Sequence, residues 1–129
     1  MAKHFGSDLS RRERQIMDII YERRRATAVE VMEALPNAPS YSSVRTLLRI
    51  LEMKGHLKHQ KEGVRYIYMA THPRQSAARS ALKQVLRTFF DGSVEKAVAA
   101  LLSDSDVQIS DAEFERLAAM IEQEKEKGG

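Results

Sequence analysis

Five residues between Ser40 and Gly55 carry the chain's most specific chemistry. Ser42, Ser43, Arg45, Thr46 and Arg49 supply hydroxyls and guanidinium groups, and no acidic residue intervenes from Tyr41 to Ile50. A solvated helix face ordinarily mixes both signs of charge. A face carrying only donors over nearly three turns suits a surface of acceptors, and the phosphates and base edges of a DNA groove are such a surface. Other reactive residue types form no comparable set. His4, His56, His59 and His72 include one pair three apart, His56 and His59, at a helix-to-strand junction with no third ligand nearby in sequence. The carboxylate pairs Asp104/Asp106 and Asp111/Glu113 fall where turns and helix caps account for them. No glycine-rich phosphate loop, serine elbow or zinc-protease motif occurs. The sequence therefore predicts no enzyme, no metal and no cofactor.

The elements that must position the donor face follow from periodicity. Within the same stretch Val44, Leu47, Leu48 and Leu51 recur at i, i+3, i+4 and i+7, the apolar stripe of a helix packed on a core. Ser40 or Ser42 can cap that helix, and Gly55 stands where a left-handed residue ends it. Upstream, Ser10-Arg11-Arg12-Glu13 reads as a capping box opening a helix to about Arg24 with Ile16, Met17, Ile19 and Ile20 inward. The run Arg23-Arg24-Arg25 meets the negative end of its dipole, phosphate contact being the alternative role. A second box, Thr27 to Glu30, opens a short helix burying Val31, Met32 and Leu35, which Pro36-Asn37-Ala38-Pro39 breaks. Met1 to Asp8 reads as an untethered tail. After Gly55 the period changes from helical to alternating. Leu57–Lys61 and Val64–Met69 flank Glu62-Gly63, a strand–turn–strand pattern with Lys58, Lys61 and Arg65 placed to reach phosphates. Tyr66 and Tyr68 share one face of that hairpin and are expected to pack on the helices. A basic hairpin directly after a helix-turn-helix is a wing.

The segments LSRRERQIMDIIYERRRATAVEVMEALP, SYSSVRTLLRILEMKGHL and EGVRYIYMA, continuing through FFDGSVEKAVAALL, resemble the penicillinase-repressor (BlaI/MecI-type) family over nearly the whole chain. The resemblance implies a dimeric winged-helix transcriptional repressor whose third helix enters the major groove of an inverted-repeat operator. Ser42, Ser43, Arg45, Thr46 and Arg49 stand at the contacting positions. Two departures accompany it. Ile50 stands where the family often has a basic residue, and packing is the favoured role for it. At the position of the family's scissile Asn–Phe bond, cut on the signal of a membrane sensor protease, the pair is Ala100-Leu101. The absence of cysteine excludes disulfides, thiolate metal sites and the copper-responsive branch of the family.

From Pro73 onward the pattern is helical throughout. Leu82, Val85, Leu86, Phe89 and Phe90 line one helix. Asp91-Gly92-Ser93 breaks it, and Val94, Ala97, Val98, Leu101 and Leu102 line the next. A third capping box, Ser110 to Glu113, opens a helix with Phe114, Leu117, Met120 and Ile121 on its apolar side. Some 55 residues bury too little of such surface against themselves, which predicts a second copy sharing the core. Folding back onto the N-terminal module is the alternative.

The expected fold is mainly α: a winged helix-turn-helix with a small β-hairpin wing over residues 1–72, then a three-helix dimerisation region over 73–129. Charge divides the same way, with 13 Lys/Arg against 8 Asp/Glu in the first part and 8 against 10 in the second. A basic nucleic-acid module joined to a mildly acidic interaction module fits that split. A hydrophobic fraction of 43% in 129 residues suffices for a core. No apolar run approaches the roughly 18 residues of a membrane helix, and no leader opens the chain. These features predict a cytoplasmic protein that does not insert in membranes. The expected function is repression through a palindromic operator bound by a homodimer, with release by proteolysis of the dimerisation region. A winged helix serving as a protein-interaction module is the alternative.

Overall fold

The computed structural model describes residues 8–37 and 39–128. His4, Ala38 and the tail preceding Asp8 lie outside them. Among the described residues the order is α1 (Arg11–Arg23), β1 (Ala26–Thr27), α2 (Ala28–Ala34), α3 (Tyr41–Met53), β2 (Leu57–Glu62), β3 (Arg65–Ala70), α4 (Arg74–Phe89), α5 (Val94–Leu102) and α6 (Asp111–Gly128). The chain divides between Gln84 and Val85, within α4, into two compact units.

The first unit is built on helix ends that the sequence marks plainly. Both predicted capping boxes form: Ser10 with Glu13 starts α1, and Thr27 with Glu30 starts α2. Ser40, rather than Ser42, caps α3, its Oγ accepting from the Ser43 N–H at 3.1 Å. At the far end of α3 the Gly55 N–H donates to the Glu52 carbonyl and the His56 N–H to the Leu51 carbonyl, each at 3.0 Å. That pair of bonds is a Schellman cap, and it requires the positive φ of 86° that Gly55 adopts at no steric cost.

Ile16, Met17 and Ile20 of α1, Val31 of α2, Leu35 just after it, and Val44, Leu48 and Leu51 of α3 close into one buried core with Leu57 and Tyr68. Leu47, the fourth member of the predicted stripe, is half-buried at its edge. The antiparallel sheet has the order β1-β3-β2. Strand β1, which periodicity did not reveal, is two residues long and pairs Ala26 with Tyr68 and Thr27 with Ile67. The hairpin turn falls one residue later than the pattern suggested. Glu62 pairs with Arg65, leaving Gly63-Val64 as the two-residue loop. Gly63 takes φ 65° while Val64 stays negative, and a glycine in the first loop position is what a type II′ turn demands.

Charge locks the two ends of the helical core together. Glu13 is only 5% exposed. Besides its capping bond to Ser10, its Oε1 accepts from Lys54 Nζ at 2.7 Å, just past the end of α3. Lys54 also donates to the Asp8 carbonyl at 2.8 Å, and the Asp8 carboxylate meets His56 Nε2 at 2.9 Å.

In the second unit Ser93 caps α5, and Ser110 Oγ accepts from the Glu113 N–H at 3.1 Å, one half of the predicted third box. The turn closing α4 places Asp91 and Gly92 at φ 54° and 76°. No residue of α4, α5 or α6 is buried. Among the described residues no helix is long and apolar enough to cross a membrane.

The Asp8–Glu13–Lys54–His56 cluster makes stability depend on pH. For Asp8 the bond from His56 outweighs partial desolvation and holds the carboxyl below its ordinary 3.8. For Glu13 burial is the largest influence and raises it, but bonds from Lys54 and Ser10 together bring it below 4.5. The unfolded chain therefore takes up protons first, so this stabilisation is complete above those ordinary values and lost as pH falls through the lower folded ones. Thermal melts of Lys54→Met are expected to show a loss of about 1–3 kcal/mol at neutral pH, since Glu13 is left buried without its cation. The variant's acid transition is also expected at higher pH than that of the native chain.

Candidate nucleic-acid interface

The interface starts from the rotation of α3. With Val44, Leu48 and Leu51 fully buried, Ser42, Ser43, Arg45, Thr46 and Arg49 are all exposed. Their hydroxyls differ in freedom. Ser43 Oγ accepts from Ser40 Oγ at 2.8 Å, and Thr46 spends its proton on the Ser42 carbonyl at 3.0 Å. Ser42 keeps the loosest tie, 3.4 Å from the Ser40 hydroxyl. Arg49 forms no ion pair among the described residues. Arg45 leans toward the wing, its Nη1 donating to Tyr41 Oη at 3.1 Å. Its guanidinium carbon lies 5.8 Å from the Tyr41 ring centre and 5.9 Å from that of Tyr66. Ile50 is half-buried.

The wing is braced against α3 by residues that the sequence did not single out as a pair. His59 Nδ1 lies 2.8 Å from both carboxylate oxygens of Glu52. The His59 ring stacks on Tyr66 at 4.4 Å and 30°. The sequence signal existed, since His59 and Tyr66 belong to the same strand face once the register is known, but the register rests on where the turn falls. Tyr68 packs on the helices as expected, whereas Tyr66 is 38% exposed. At the tip of the hairpin, beside the Gly63-Val64 loop, Glu62 pairs with Arg25, which ties one arginine of the Arg23–Arg25 run to the wing rather than to the dipole of α1.

Register also sorts the wing cations. Lys61 pairs with Tyr66 and His59 with Tyr68, so both stand on the α3 side of the hairpin, and Lys58 and Arg65 stand on the alternate positions. The structure brings Lys61 and Arg65 to a common cavity with Arg45, and Lys58 is exposed elsewhere on β2. Of the histidines, His56 is engaged by Asp8 and His59 by Glu52. The predicted scissile pair, Ala100 and Leu101, lies exposed in the last turn of α5.

A three-helix core, an antiparallel three-stranded sheet, and a donor-only helix face beside a basic hairpin define a winged-helix DNA-binding regulator. The sequence pattern of the penicillinase repressor family matches residues 9–123, and the chain belongs to that family. It is a DNA-binding transcriptional repressor, of a family that is not enzymatic. The penicillinase repressor of Bacillus licheniformis is 25% identical over 121 residues, spanning 92% of this chain and 93% of that protein. The solution structure of the DNA-binding domain of the repressor BlaI is 27% identical, covering 59% of this chain and 93% of that one with a TM-score of 0.49. MepR, a transcription regulator of the Staphylococcus aureus multidrug efflux pump MepA, shares the fold at a TM-score of 0.51 and 17% identity, over 95% of this chain and 82% of that one. Family membership decides for DNA binding over a protein-interaction module.

The half-buried Ile50 makes a direct prediction. An arginine reaching a base or phosphate from that position would tighten binding by about 1–3 kcal/mol. With Ile50 half-buried, Ile50→Arg is expected to leave operator affinity unimproved in a fluorescence-anisotropy titration.

Proposed function

We propose that this repressor binds an inverted-repeat operator as a homodimer, the winged helix of residues 1–72 gripping DNA and the helices of 73–129 pairing the subunits. The single observation that carries the DNA half is the acid-free exposed face of α3, held at fixed rotation by the fully buried Val44, Leu48 and Leu51. In this reading Ser42, Ser43, Arg45, Thr46 and Arg49 address the major groove, and Lys58, Lys61 and Arg65 hold phosphates. Arg45→Ala and Arg49→Ala are each expected to weaken operator binding by about 1–3 kcal/mol and relax specificity, whereas Lys61→Ala weakens all sequences alike and flattens the salt dependence. Unchanged operator affinity for both arginine variants would overturn the docking.

The dimer half rests on exposed apolar surface. Leu82, Phe89 and Val94 are 63%, 74% and 64% exposed, and Val85, Val98, Leu101, Leu102, Phe114, Leu117 and Ile121 are likewise uncovered. Leu86 and Phe90 are half-buried. A soluble monomer rarely leaves so many large apolar side chains of successive helices to water, and the same residues repeated on a second copy make a self-complementary interface. Sedimentation equilibrium of the full chain is expected to give twice the monomer mass. Phe89→Glu combined with Leu117→Glu is expected to give monomer and to lose about 10²–10⁴-fold in operator affinity, the contribution of linking two half-sites. In this reading, cleavage in the dimerisation helices by a membrane sensor protease lifts repression by separating the half-site readers. The resemblance points to Ala100–Leu101 as the bond.

A further inference from the structure

The wing, α3 and the residues Thr27, Ala28 and Val29 line a half-open cleft of about 350 Å³ whose function is not accounted for by groove reading alone. Ten residues line it and none is acidic. Its cations are Arg45, Lys61 and Arg65, and its walls include Tyr41, Tyr66 and Tyr68. The volume falls within the range of small-molecule clefts, which combine apolar and aromatic walls with a few convergent polar groups. Arg45 already lies beside two of the rings, its fork anchored on the Tyr41 hydroxyl. An arginine held there presents the rest of its planar donor fork, a shape matched by a carboxylate. Neighbouring phenol rings offer faces and edges to a flat hydrocarbon ring.

We propose that this cavity binds a small aromatic carboxylate, and that occupancy releases the operator. The ring lies among Tyr41, Tyr66 and Tyr68, and the carboxylate takes the donors of Arg45 with Lys61 and Arg65 close by. A bare phosphate would leave the aromatic walls unused. The three cations are ones assigned above to DNA, so the release step rests on that assignment, whereas binding to the free protein does not. Ligand and operator then compete for the same guanidinium and ammonium groups, and the repressor senses a metabolite directly at its reading head.

The test uses the full chain with ring-labelled tyrosine in NMR, titrated with benzoate or with inorganic phosphate at matched ionic strength. Benzoate is expected to shift the Tyr41 and Tyr66 resonances saturably, and phosphate is not. Equal response to phosphate would overturn the proposal and mark the cavity as a seat for a DNA phosphate. Val29→Phe fills the cavity from α2 without altering charge; it is expected to bind operator as the native chain does and to lose the benzoate response. Tyr66→Leu, which removes one wall, is expected to weaken benzoate about 2- to 10-fold. Persistence of the response in both variants places binding elsewhere and overturns the assignment. In operator titrations, benzoate at ten times its own dissociation constant is expected to raise the operator Kd about tenfold. Saturable ring shifts with an unchanged Kd would overturn release while leaving groove reading intact. A native chain that bound no operator would overturn groove reading, and the ring titration would still decide the cavity.

Discussion

A helix that reads DNA with one face is useful only if it cannot turn about its own axis; the buried stripe of Val44, Leu48 and Leu51 sets that angle, and the Glu13–Lys54 ion pair pins the end of the helix. Glu13 is buried at the start of α1, and Lys54 stands just past the end of α3. Their bond joins the beginning of one helix to the end of another, across the core formed by Ile16, Ile20, Leu48 and Leu51. Burial alone would favour the protonated acid, so the cation and the capping bond keep a charge where the core would otherwise reject it. On the opposite side, Glu52 engages His59 of β2. The two acid–base pairs grip the last turn of α3 from α1 and from the wing, and the apolar stripe between them sets the angle at which its donors face outward.

The two units of the chain are stabilised by different means. The first has a closed core and paired charges. The second has amphipathic helices with no buried residue, Leu86 and Phe90 being half-buried. Such helices gain little from propensity alone, since most helical stability in proteins comes from packing. In the proposed dimer each copy supplies that packing surface to the other, which joins the making of a core to the making of a two-headed DNA reader.

Much of this organisation was legible in the sequence because it is written in local patterns. The capping boxes at Ser10 and Thr27, the glycine after α3 and the stripe from Val44 to Leu51 each declare themselves within a few residues. What escaped was non-local. Strand β1 is too short to show a period and exists because Ala26 and Thr27 find β3 some forty positions later. The turn at Gly63-Val64 moved by one residue because the glycine, rather than the polar Glu62, decides which loop geometry is reachable. Glu13 was visible as a cap but not as the partner of Lys54. The exposed donor face was likewise readable, while the leaning of Arg45 onto Tyr41 and Tyr66 depends on the register of the wing.

The order β1-β3-β2 leaves β2 as an outer strand of the sheet. Unpaired strand edges invite addition of a further strand from another copy. Strand β2 carries the sequence LKHQKE, with Lys58, Lys61 and Glu62 exposed along it. Charges of that kind on an outer strand discourage edge-to-edge pairing. The lysines of the wing thus have a second consequence: exposed along an outer strand, they make that edge a poor template for a further strand.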